Sequence, residues 1–152
     1  KIGKEQAEIL ANKNVQVKVI DDAGVGKFLP EIDIILLSSN IIMHDVFIAN
    51  AGAHVLAAAA KTYKIPIFVL SDSRTILNKK FFPQSVIDTF VGKDKKPSSE
   101  LWKNAPENVE VIYNHMEEVP NDLISKFILE KEALTHHELN DKIDKVLVTN
   151  FF

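Results

Sequence analysis

Two apolar runs separated by a helix-favouring run constrain this chain of 152 residues more than any other feature. Residues 32–37 read I-D-I-I-L-L, nearly continuous in apolar side chains, as a strand covered on both faces would be. Residues 49–63, A-N-A-G-A-H-V-L-A-A-A-A-K-T-Y, have the preference of a helix, with small side chains that allow close approach to a sheet. Lys64-Ile65-Pro66 stops that helix, and residues 67–70 form a second apolar strand. Upstream, residues 5–11 favour a helix ended by Asn12 to Asn14, and residues 15–20 alternate as V-Q-V-K-V-I. Helices and strands in this order predict a parallel α/β sheet.

The later half is less regular. Residues 71–108 carry Pro83, Pro97 and Pro106 and the run Lys93-Asp94-Lys95-Lys96, which predicts a long excursion with short helices and a solvated charged loop. Residues 109–113 (V-E-V-I-Y) regain strand character. Pro120-Asn121-Asp122 then predicts a helix start, with proline where a missing N–H costs nothing and Asp122 near the positive end of the dipole. Residues 135–148 predict a last helix with Leu139, Ile143, Val146 and Leu147 on one side.

Residues 1–152 are expected to form one domain. Eighteen basic against 21 acidic residues give a net charge of −3, so no global basic field draws the chain to nucleic acid. The sequence contains no cysteine, which excludes a disulfide, a thiolate nucleophile and a cysteine zinc site within it. No window approaches the roughly 18 apolar residues of a membrane span. The start at Lys1 reads as cut rather than processed.

Glycine-bearing Asp22-Ala23-Gly24-Val25-Gly26-Lys27 lacks the spacing of a phosphate loop, because Phe28 follows the lysine and Asp21 stands five before Gly26. A dinucleotide fingerprint fails too, with Leu29 at the third glycine position. Asp22 at one expected strand end and Ser38, Ser39 and Asn40 at the next would make a polar rim where parallel sheets hold ligands. Capping and turn chemistry accounts for such residues equally well. His44, His54, His115, His136 and His137 show no metal-ligand spacing, His54 being expected to pack or cap, and no nucleophile elbow is present.

The order of these segments resembles the regulatory subunits of translation initiation factor 2B. The resemblance rests on Asp22-Ala23, Ser38-Ser39-Asn40, the run Ala49-Asn50-Ala51-Gly52-Ala53-His54 into Leu56 to Lys61, and Glu118-Val119-Pro120-Asn121-Asp122-Leu123-Ile124. Gly52, His54, Leu56, Ala57, Ala59, Ala60 and Lys61 look most like the beta subunit. It implies an α/β fold, a Rossmann-like three-layer domain with a mainly parallel sheet. This would be the C-terminal domain, with the subunit's N-terminal helical region absent.

Similar enzymes, methylthioribose-1-phosphate isomerase and ribose-1,5-bisphosphate isomerase, use an aspartate in G-A-D and a lysine and threonine in N-K-x-G-T. Here those positions hold Ser38, Ser39, Asn40 and Ala49, Asn50, Ala51, Gly52, Ala53, so the ionisable acid and the cation are missing. The resemblance therefore implies a vestigial pocket at Asp22, Ser38, Ser39, Asn40, Asn50 and Gly52, with no catalytic residue, cofactor or metal. It also implies a cytoplasmic, non-catalytic subunit of the guanine-nucleotide exchange factor for initiation factor 2. Implied partners are its other subunits and the phosphorylated alpha subunit of initiation factor 2, with no nucleic acid or membrane. Pairing through this domain, with a second copy or a sister subunit, would use Phe127, Ile128, Leu129, Leu139, Ile143 and Leu147, for any one of which packing in the core is the favoured reading.

Overall fold

A computed structural model describes residues 2–81, Ser85, Asp88 and 98–145. The chain divides into two compact units, Lys1–Glu31 and Ile32–Phe152. In the first, helix α1 (Ile2–Ala11) ends where Asn14 takes a left-handed φ of 61°. The strand expected over residues 15–20 does not form; they are exposed, and Asp22–Lys27 is a 3-10 turn. Alternation alone makes no strand without a hydrogen-bonded neighbour, and none lies among the described residues of this unit. Asp22 therefore opens a turn rather than following a strand.

The second unit holds two sheets. Strands β1 (Ile35–Ser38), β4 (Ile67–Leu70) and β6 (Lys126–Ile128) run parallel, and β7 (Ala133–Leu134) joins β6 antiparallel. A smaller antiparallel sheet orders β2 (Ile41–Ile42), β3 (Val46–Asn50) and β5 (Met116–Pro120). Helix α2 (Ala53–Tyr63) packs on β5, and its Ala57 and Ala60 are buried. It ends as expected at Lys64, whose left-handed φ of 56° lets its N–H reach back to Ala60 and Lys61. Helix α3 (His136–Lys145) lies against β6 and β7. The architecture is thus mixed α/β with a mostly parallel sheet, as the sequence predicts.

Sheet pairing turns side chains to fixed faces. Registers Ile35 with Ile67 and Val69 with Phe127 place these four residues on one face, and all four are buried. Leu36, Phe68, Leu70 and Ile128 lie on the other, where Leu36 is 57% and Leu70 43% exposed. Phe127 meets Phe47 of β3 edge to face, with ring centroids 5.9 Å apart at 85°. That contact fastens the antiparallel sheet to the parallel one.

Three expectations are corrected here. Residues 46–50, partly assigned to the alanine-rich helix, are strand β3. Residues 109–113 form no strand, and β5 follows at Met116–Pro120, where Glu117 and Glu118 mask its pattern. The helix expected from Pro120 is a single 3-10 turn, Asn121–Leu123, followed by β6. Side-chain hydrogen bonds explain that arrest: buried Asn121 donates its Nδ2 to the carbonyls of Met43 at 2.7 Å and His44 at 3.1 Å, and its backbone N–H to that of Asp45 at 2.9 Å. A continuing helix would pull it from this turn.

Helix α3 starts on a capping box. Thr135 N–H donates to Glu138 Oε2 at 2.8 Å, and Glu138 N–H approaches Thr135 Oγ1 at 3.4 Å. His136 Nε2 meets the His44 carbonyl at 2.7 Å, and the His44 ring meets Asp144 Oδ1 at 3.2 Å. One residue of the β2–β3 turn so contacts both ends of α3. Buried Asn78 adds a bond from its Nδ2 to the Ile143 carbonyl at 3.0 Å.

Candidate functional site at the strand ends

The carboxyl ends of β1 and β4 lie side by side, and their first loop residues carry hydroxyls. Ser39 Oγ donates to Ser71 Oγ at 2.7 Å, Ser71 Oγ lies 2.8 Å from Thr75 Oγ1, and Thr75 Oγ1 donates to the Asp72 carbonyl at 2.7 Å. A chain of three half-buried hydroxyls thus ties the two strand ends together. Such groups orient and hydrogen-bond; their partners here are one another and the Asp72 carbonyl, none of which is a base that activates a hydroxyl as a nucleophile.

Beside this chain stands a charged turn. Asp72 caps the 3-10 turn Ser73–Thr75, accepting from Arg74 N–H at 2.8 Å, Nε at 2.8 Å and Nη2 at 2.6 Å. The Arg74 side chain is 87% exposed, so its guanidinium faces solvent while Asp72 fixes its direction. From the end of β6, Glu130 Oε1 accepts the Ser73 N–H at 3.0 Å and its hydroxyl at 2.9 Å.

These bonds set the local acid chemistry. The Arg74 guanidinium, then its backbone N–H, hold the Asp72 carboxyl far below the usual carboxylate range. Glu130 is lowered first by its own backbone amide, then by the Ser73 amide and hydroxyl. Both carboxyls are lowered in the folded state, so their contribution is complete above the ordinary range of about 3.9 to 4.3 and is lost as pH falls through the depressed folded values. The Ser73 and Arg74 amide resonances are therefore expected to titrate with midpoints below the ordinary carboxylate values of about 3.9 and 4.3. A midpoint at or above the ordinary value, in an NMR titration, would contradict the assigned bonds.

The second cluster surrounds the start of α2. Asn40 donates its backbone N–H to the Ile48 carbonyl at 2.8 Å and turns its Nδ2 to the Met116 sulfur at 3.8 Å. Asn50 pairs in register with the same Met116. Gly52, with φ of 99°, precedes the helix in a left-handed conformation that glycine adopts readily and other residues rarely. It has no side chain to cap α2, and Glu117 of β5 supplies the carboxylate instead, accepting the His54 N–H at 2.8 Å. Glu117→Ala is expected to cost about 1 kcal/mol and to speed hydrogen exchange in the first turn of α2. Unchanged exchange there would remove Glu117 from the capping role.

The structure thus brings Ser39 to Ser71, and Asn40 and Asn50 to Met116. Ser38 sits exposed in register with Leu70. Asp22 belongs to the first unit. Phe127, Leu129, Leu139 and Ile143 are buried in the core and offer no surface; Ile128 is half-buried, and Leu147 lies outside the described residues, as does the Lys93-to-Lys96 run. Sequence reasoning missed Ser71, Asp72, Thr75, Glu117 and Glu130. The signal for three of them was present, since Ser71-Asp72-Ser73-Arg74-Thr75 directly follows an apolar strand that was correctly placed. Among the described residues no group of three His, Asp or Glu side chains could hold a metal ion, and no helix is long and apolar enough to cross a membrane.

A mixed α/β domain with polar loops at the carboxyl ends of a Rossmann-like sheet defines a class shared by many activities. The particular family is shown by sequence: the initiation factor 2 subunit family matches residues 1–136, and the chain belongs to it. It is 23% identical over 150 residues to translation initiation factor eIF2B subunit alpha of Dictyostelium discoideum, covering 95% of this chain and 47% of that protein. It is 26% identical over 131 residues to a putative methylthioribose-1-phosphate isomerase of Methanothermobacter thermautotrophicus, covering 82% and 40%. The chain therefore spans less than half the length of these curated relatives. Among solved structures it is similar to the eIF-2B delta subunit from A. fulgidus, with a TM-score of 0.72 at 20% identity over 89% of this chain and 41% of that one. It is also similar to the tetrameric eIF2B-beta2-delta2 complex from C. thermophilum, with a TM-score of 0.54 at 16% identity over 82% and 34%.

Proposed function

We propose that residues 1–152 act as one C-terminal domain of a non-catalytic regulatory subunit of the initiation factor 2B type, most like beta. It holds partners rather than transforming a substrate. The observation that carries this reading is Asn40: at the end of β1, where the resembling isomerases use an aspartate, stands a neutral amide whose Nδ2 faces the Met116 sulfur. An amide cannot exchange a proton as a carboxyl does. Ala49 to Ala53 likewise offer neither a lysine nor a threonine to a phosphorylated sugar, and Ser38, Ser39, Asn40, Asn50 and Gly52 are the remnant of a pocket. The tetrameric assembly of the beta and delta relatives supports other subunits of the factor as partners. Within that cytoplasmic complex, the phosphorylated alpha subunit of initiation factor 2 is the ligand sensed.

The isomerase relative favours a second reading, a sugar-phosphate aldose–ketose isomerase. Incubation of the protein with methylthioribose 1-phosphate, followed by NMR of the sugar, separates the two. No ketose above the buffer control is expected, whereas turnover abolished by Asn40→Ala would establish the enzyme.

A further inference from the structure

We draw no further inference here: the strongest candidate, the apolar face of the parallel sheet at Leu36 and Leu70, is exposed among the described residues, and nothing in the structure shows what covers it.

Discussion

Phe127→Ala is expected to lower the free energy of unfolding by about 3–5 kcal/mol, the usual cost of removing a fully buried phenylalanine. The ring has no solvent exposure and stands between the two sheets, so its removal leaves a void that neither sheet closes without losing its register. Phe47 is buried to the same degree on the opposite sheet. Because the two rings meet edge to face, a cycle with Phe47→Ala is expected to show a coupling of about 0.5–1.5 kcal/mol beyond the separate losses. Urea unfolding measures both quantities. Additive losses would mean that the sheets are fastened elsewhere, and a loss near 1 kcal/mol for Phe127→Ala would place the ring outside the core.

Asn121 is the second sensitive point, for a polar reason. Its Nδ2 satisfies the Met43 carbonyl and one side of the His44 carbonyl, which also meets His136 Nε2. Truncation to alanine takes the Met43 carbonyl's amide partner away, and the loss is expected to be about 2 kcal/mol, within the range for a buried group deprived of its bond. Asn121→Asp should be worse than alanine, since it aims a buried carboxylate at two carbonyl oxygens. Equal stability of the two variants would show that the side chain reaches solvent. Crosspeaks of α3 should respond in both, because the turn that Asn121 grips also contacts His136 and Asp144.

The legible parts of the sequence were those whose signal is local. The alanine-rich helix, its stop at Lys64-Ile65-Pro66 and the apolar strand after it were placed nearly as they stand. So was the last helix over its described residues, whose Leu139 and Ile143 are buried as its pattern implies, while Val146 to Val148 lie outside the described residues. Elements decided by tertiary contacts were misread. The alternation over residues 15–20 has the period of a strand but no partner among the described residues of its own unit. β6 was hidden behind a convincing helix start, because Pro120, Asn121 and Asp122 carry capping chemistry while Asn121 bonds across to residues 43–45. β5 was displaced by a few residues, since Glu117 contributes its carboxylate to a helix far away in sequence. The candidate site divided in the same way. Ser39 and Asn40 were legible as strand-end residues, but their partners Ser71 and Met116 lie 32 and 76 positions on.

On the function proposed above, this domain serves by holding other subunits. Native mass spectrometry of the full-length protein, co-expressed with the subunits of the factor proposed above, tests it most directly. A stable complex containing this subunit and at least one different family member is the predicted result. A species that carries no other subunit, at concentrations where the remaining subunits assemble with one another, would contradict the account.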